Sequence, residues 1–370
     1  MNLLLQKMGI RLPIIQAPMA GVSTPAMAAA VSNAGGLGSL GLGSLGIGSA
    51  DVATAREQIA ATRAATSSPF NVNLFCHHRA TADEAKETAW IARYTPAFKQ
   101  LGATAPQQLR SPYESFLDNP ALFELLKSER PPVISFHFGL PPPEWIEALR
   151  QPGTTLLASA TNLIEGRLIA AAGIDAVIAQ GWEAGGHRGT FDPARGDEQL
   201  GTFALTRLLS LQLSLPVIAA GGIMDGAGIA AALRLGASAA QLGTAFIGCP
   251  ESLASDDYRA TLFSPAAEQT FVTSRLSGRA ARTMPNKLTD LVATANDYEV
   301  PAYPIAYDAA KLLIAAAKAK SQPGYGAYLA GQDAPLARAL PVAELMSVLE
   351  RELQAPHEKQ LASAPCHRVP

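Results

Sequence analysis

Short apolar runs alternate with Ala- and Leu-rich stretches of helical spacing along most of the chain. Eight runs read as strands, at 13–19, 36–44, 71–75, 133–139, 155–161, 176–181, 216–222 and 239–246. Helical segments fall between them: 24–33 with a Ser/Thr-Pro opening, 51–63, 163–172 ending at Gly173, and 225–235 ending at Gly236. The strand runs are almost continuously apolar rather than alternating, which marks a parallel sheet covered on both faces. Eight strand–helix units predict an α/β fold, a closed (β/α)8 TIM barrel.

The repeat breaks twice. Residues 76–130 leave room for extra helices, one of them at 82–94. After the eighth strand, 249–324 loses the pattern and carries Arg275, Arg279, Arg282 and Lys287 among Gly, Ser and Pro. We read 1–248 as the barrel and 249–324 as a smaller, mainly helical lid or substrate domain. Its basic run reads as a solvated loop rather than an anion clamp. A helix within about 325–353, amphipathic over 342–353, closes the barrel, and 354–370 reads as a mobile tail.

Composition narrows the function. Of the 370 residues, 48% are hydrophobic and 16% charged, with a net charge of −2; this fits a well-buried enzyme and gives no positive field for nucleic acid or an anionic membrane. The three cysteines, Cys76, Cys249 and Cys366, have neither disulfide-framework nor metal-ligand spacing, which fits a reducing cytoplasm. The apolar stretch Leu3 to Leu5 is too short for a signal peptide. Residues 12–50 lack charge, but Pro13, Pro18, Pro25 and the dense glycines make them buried α/β core rather than a membrane span.

Four motifs carry candidate chemistry. Gly36-Leu-Gly-Ser-Leu-Gly41, with its overlapping copy to Gly46, matches the dinucleotide fingerprint in letters only: it lies in and after a strand that follows a helix, so close backbone packing explains it better. The loop 219–226 and Gln241-Leu-Gly-Thr244 end the seventh and eighth strands, where barrels commonly bind phosphate through backbone N–H groups; Gly222, Gly243 and Thr244 are the proposed ligands. The run 180–189 sets His187 at the C-terminal end of the sixth strand, with Gly185-Gly186 leaving room for a flat ligand. With an ordinary pKa near 6.5, His187 would exchange protons at neutral pH. His77, His78 and His137 also end strands, but the His77-His78 pair lacks a third ligand and predicts no metal site. Tyr303, Tyr307 and Lys311 recur every four residues, as on one helix face.

Together with Gln16-Ala-Pro-Met-Ala20 and Asn71-Val-Asn-Leu-Phe75, these motifs resemble the nitronate monooxygenase family, formerly 2-nitropropane dioxygenases, from about residue 10 to 352. The resemblance implies an FMN-containing barrel with a smaller substrate domain, which oxidises alkyl nitronates with O2 to a carbonyl compound and nitrite without a nicotinamide cofactor. Tyr303, Tyr307, Lys311 and Gly331-Gln332 resemble the family's first class, whose substrate is propionate 3-nitronate. By the same resemblance FMN contacts Pro18, Met19, Ala20, Asn73, Gln180 and Gly185, with its phosphate at Gly222, Gln241, Leu242, Gly243 and Thr244. His187 becomes the active-site histidine, and Tyr113, Tyr258, Tyr303, Tyr307 and Lys311 line the substrate pocket. One departure is Leu329, where the family pattern places an aromatic residue before Ala330-Gly331-Gln332. The expected partners are a small nitronate and O2, without nucleic acid or membrane, on a monomer or homodimer. The competing expectation is an FMN-dependent NAD(P)H:quinone or enoyl-thioester reductase on the same barrel, for which no nicotinamide-specific motif is legible. A flavin-free phosphate-binding isomerase or aldolase and a non-catalytic flavin-binding protein are lesser alternatives.

Overall fold

A computed structural model describes residues 2–42, 49–150 and 153–355. The eight predicted strands are all present: β1 Ile14–Gln16, β2 Gly38–Gly41, β3 Phe70–Phe75, β4 Val133–His137, β5 Thr155–Ala160, β6 Ala176–Gln180, β7 Val217–Ala220 and β8 Ala239–Leu242. They pair in parallel in the order 1-8-7-6-5-4-3-2, and a parallel bridge between Ile15 and Leu37 joins the two ends of the sheet. The result is a (β/α)8 barrel. Most strands stop short of their predicted C-terminal ends, because those residues leave the ladder to form the loops of the cavity described below. The clearest case is 239–246, whose second half turns into the short helix Thr244–Ile247.

Local chemistry explains the helices. Thr24 Oγ1 accepts from the Met27 N–H ahead of Pro25–Asn33, while Asn162 and Asp225 cap Leu163–Ala171 and Gly226–Arg234 in the same way. The helix expected at 82–94 runs further, over Glu84–Gln100. The closing helix is confined to Val342–Gln354, so 325–341 is not helical apart from the 3-10 turn Ala334–Leu336. Its apolar stripe of Val342, Leu345, Met346 and Leu349 packs on Ile14, Val31 and Ile229. Full burial of each such side chain contributes about 1.5–3 kcal/mol.

The barrel interior has two layers of different character. Ile15, Leu37, Val133, Leu157, Ile178 and Ile218 fill one, and Leu4 and Met8 of the helix Leu3–Met8 plug it from below. That helix has only six residues, too few for a periodic signal in the sequence. Above it the filling turns polar: Asn71 Nδ2 donates to Ser39 Oγ (3.1 Å) and Ser135 Oγ (2.9 Å), and Ser135 Oγ donates to Asn73 Oδ1 (2.9 Å).

The glycine-rich second strand packs rather than binds. A Cβ on Gly38 would lie 1.9 Å from the Ala28 carbonyl oxygen, so only glycine lets strand and helix approach this closely. The second copy of that motif runs into residues outside the described ones. The segments that break the repeat meet each other: Trp90, Tyr94 and Phe98 of Glu84–Gln100 share an apolar cluster with Leu288 of Lys287–Val292 and Leu313 of Ile305–Ala319. The later segment also forms a small antiparallel sheet that the sequence did not announce. Its strands are Phe271–Thr273, Ala281–Thr283 and Gly186–His187, with Ala281 opposite His187. The solvated-loop expectation for the basic run fails at two positions, because Arg279 and Arg282 are buried. Arg279 Nη1 donates to the Thr190 carbonyl (2.6 Å), and Arg282 donates through Nε and Nη2 to the Trp182 carbonyl (3.2 and 2.9 Å).

Candidate active site

A cavity of about 470 Å³ opens at the C-terminal end of the barrel, within the usual range for a small-molecule site. Every residue predicted for the site lines it except Leu242. Side chains alternate along a strand, so when Gln241 faces the cavity, Leu242 faces outward and packs with Ile14, Val31 and the closing helix.

One end of the cavity is built from glycines. Gly221 and Gly222 hold φ of +116° and +64°, conformations that favour glycine. Gly185 lies so close to the chain at 330–331 that a Cβ would fall 2.5 Å from the Gly331 nitrogen. Thr244 Oγ1 accepts from the Gly331 N–H (3.0 Å), tying this chain to the eighth-strand loop. Gln241 Oε1 is buried without a partner among the described residues, so it needs a donor from a ligand or water. Asn73 uses Oδ1 internally and keeps its N–H groups for the cavity. Gln180 is largely committed to its own loop, with Nε2 donating to the His187 carbonyl (2.9 Å) and Oε1 accepting from the Gly189 N–H (2.7 Å).

At the other side, five separate segments converge. His187 Nε2 lies 2.8 Å from Ser277 Oγ, and its ring centroid is 5.4 Å from that of Tyr303. His77 meets the Tyr303 ring edge-on at 5.1 Å, and His137 donates through Nε2 to the His187 carbonyl (3.3 Å). Arg279 stacks its guanidinium 4.3 Å from the centre of Phe138 and 5.5 Å from that of Tyr303. Such buried cation–π contacts contribute about 2 kcal/mol. Phe138 holds φ at +73°, a left-handed conformation costing about 1–3 kcal/mol, and its packing among these rings keeps it there. The Tyr303 hydroxyl is buried and unpartnered among the described residues. Tyr303 itself precedes the helix Ile305–Ala319; Tyr307 and Lys311 lie on it, with the Lys311 ammonium 4.7 Å from the centre of Tyr113.

Burial, reinforced by the Arg279 cation, pushes His187 down to about 3 and His137 to about 4; His77 is lowered for the same reasons. The expectation that His187 titrates near neutrality is therefore corrected: it is a neutral imidazole at pH 7. Burial brings Arg279 down to about 10, which leaves it charged. Tyr303 is raised by burial and stays a phenol. This corner pairs hydrogen-bonding groups with a buried cation and no strong base, a chemistry suited to a ligand that arrives as an anion. Phe138, Ser277 and Arg279 were missed in the sequence as site residues; the structure shows that Gly278, between the last two, turns the chain at φ +89°.

The nitronate monooxygenase family model matches residues 1–352. The chain belongs to that family. It is 57% identical over 351 residues to a nitronate monooxygenase of Paraburkholderia phytofirmans strain PsJN, covering 95% of this chain and 94% of that protein. It is 52% identical to a nitronate monooxygenase of Pseudomonas aeruginosa strain PAO1, over 94% and 97% of the two chains. A solved nitroalkane oxidase from Streptomyces ansochromogenes superposes with a TM-score of 0.83 at 36% identity, over 95% and 98% of the two chains. The protein is accordingly an oxidoreductase of the nitronate monooxygenase family. Among the described residues, no helix is long and apolar enough to cross a membrane.

Proposed function

We propose that the protein holds FMN in this cavity and oxidises preformed alkyl nitronates, propionate 3-nitronate foremost, with O2 to a carbonyl compound and nitrite. The donor set fits the cofactor. Gly222, Gly243 and Thr244 border the space for its phosphate, Gln241 Oε1 offers an unmet acceptor to an N–H or O–H, and Pro18, Met19, Ala20, Asn73, Gln180 and Gly185 border the space for its rings. When bound, FMN supplies the redox chemistry between nitronate and O2 that side chains lack.

The chain's own residues select and orient the substrate. In this reading the Ser277 hydroxyl donates to His187 Nε2, which puts the imidazole proton on Nδ1, and Nδ1–H and the unpartnered Tyr303 hydroxyl donate hydrogen bonds to the nitronate oxygens, in the field of Arg279 behind them. Lys311, at the cavity's edge over the Tyr113 ring, meets the substrate's carboxylate; Tyr258 completes the wall. The placement of His187 carries this reading: its ring faces the cavity beside Tyr303 and the Arg279 cation, and its partner among the described residues is the Ser277 hydroxyl rather than a carboxylate. A group whose conjugate acid is as acidic as that of His187 abstracts an α-proton poorly, so the substrate arrives already ionised. The barrel, in this proposal, carries the cofactor, and His187, Tyr113, Tyr258 and the segment 303–311 carry the substrate contacts.

The test is a comparison in air of nitrite release from propionate 3-nitronate, nitrite release from the neutral nitro acid, and NADH oxidation. We expect kcat/KM for the nitronate to exceed that for the neutral form by at least about 100-fold, with no NADH consumed. Substrate-dependent NADH oxidation without nitrite would instead establish a reductase.

A further inference from the structure

The glycine end of the cavity has an unexpected charge. Among the described residues lining the cavity, the only Asp, Glu, Lys or Arg side chains are Lys311 and Asp333, and Lys311 belongs to the helical layer beside Tyr113. Asp333 lies at the glycines: a Cβ built on Gly222 would sit 3.5 Å from its Oδ2. It begins the turn Ala334–Leu336 but makes no side-chain cap bond, and its carboxylate accepts no hydrogen bond from the described residues. No lysine or arginine among the lining residues balances it there. A phosphate placed at Gly222, Gly243 and Thr244 therefore meets N–H groups and a hydroxyl, together with an uncommitted carboxylate.

We propose that Asp333 sets phosphate discrimination in this site: carboxylate and flavin phosphate are bound with one proton shared between them, so the preference for FMN over riboflavin falls as pH rises. This rests on the FMN reading above. Two like-charged oxygen acids at contact cannot both stay ionised; one takes a proton, as in carboxylate pairs. A phosphate monoester loses its second proton near pH 6, so above pH 7 both groups are ionised before binding and the complex must draw one proton from solvent. The surroundings favour this uptake. Asp333 is half-buried, and burial, then Glu183 and Asp225, already push its carboxyl upward. The two charges that act on it are engaged: Glu183 Oε2 accepts from Thr202 N–H (2.7 Å), and Asp225 caps Gly226–Arg234; beyond them, Glu352 accepts from Gly226 N–H (2.9 Å) and pairs with Arg338 (2.8 Å). None supplies a cation to the cavity itself.

Competition between the two flavins isolates the phosphate, because riboflavin lacks only that group. The holoprotein is dialysed to equilibrium against defined FMN–riboflavin mixtures from pH 6 to 8.5, and the bound flavins are separated and counted. For the wild type, the FMN:riboflavin affinity ratio should fall with pH, approaching tenfold per unit above pH 7, the limit for one proton. In Asp333→Asn and Asp333→Ser the ratio should be at least about tenfold higher at pH 8 and should no longer fall with pH. A ratio independent of pH in the wild type, an unchanged slope in both variants, or weaker FMN retention by both at pH 8 would overturn the assignment. A wild type that binds neither flavin overturns the FMN reading and this inference together, whereas FMN bound with a flat ratio overturns only the role of Asp333.

Discussion

The two ends of the cavity are made in different ways. The glycine end comes from loops that directly follow β6, β7 and β8, so the barrel itself positions it, and its working groups are backbone N–H groups that need only the absence of side chains. The corner around His187 draws on 137–138, 187, 277–279 and 303, brought together by a small sheet and by aromatic and cation–π contacts. One end is scaffold with side chains removed; the other is a side-chain cluster held by insertions. They should therefore fail separately.

The largest separation is expected from His187→Asn. Removing the imidazole should lower kcat/KM for preformed nitronate by about 10²–10³-fold, the usual cost of losing a donor to developing charge, while FMN retention changes less than about threefold. Steady-state nitrite release and flavin dialysis measure both. Gly185→Val should do the reverse. Its Cβ would collide with the 330–331 backbone and push that chain into the glycine end, weakening FMN by about 100-fold, while enzyme saturated with FMN keeps most of its turnover. Comparable losses of both properties in either variant would mean that the two ends are one cooperative unit.

Legibility in the sequence follows the same division. The strands, the loops at 219–226 and 241–244 and the placement of His187 were readable because each is a local pattern, but a motif does not say which side chain of a strand faces inward, and that of Leu242 faces away from the cavity. The corner was unreadable in its decisive features. Arg279 looked like one more basic residue in a polar loop, and only tertiary packing puts it under Phe138 and Tyr303. The depressed basicity of His187 follows from burial and from Arg279, neither of which has a sequence signature. Tyr303 was grouped with Tyr307 and Lys311 by spacing, although it stands before the helix that carries them.

Arg279 offers the next sharpest test. It does not line the cavity, so any effect must pass through Tyr303, Phe138 and the imidazoles, as a positioning residue. Arg279→Met should lower kcat/KM by about 30–100-fold and move the acid limb of the pH profile upward, because the cation that disfavours imidazolium is gone. Arg279→Lys, which keeps the charge without the planar stacking, should leave the acid limb near its original place while retaining part of the kinetic loss. An unmoved acid limb in Arg279→Met would reduce the residue to packing.

The smallest effect is on stability, and its sign is fixed by linkage. His187 and His137 have folded pKa values of about 3 and about 4, below the ordinary 6.5 of an unfolded chain. Between these limits the unfolded chain binds protons that the folded one refuses, so stability is full above about pH 6.5 and falls as pH drops towards 4. Each histidine should contribute about 1–2 kcal/mol to the loss between pH 7 and 5, seen as a shift in the urea midpoint. His187→Asn should remove its own share of that slope and leave the share of His137. If the slope were unchanged, His187 would be solvated in the native state, and the corner would resemble the glycine end after all: a surface shaped for a ligand rather than a dry cluster assembled before the ligand arrives.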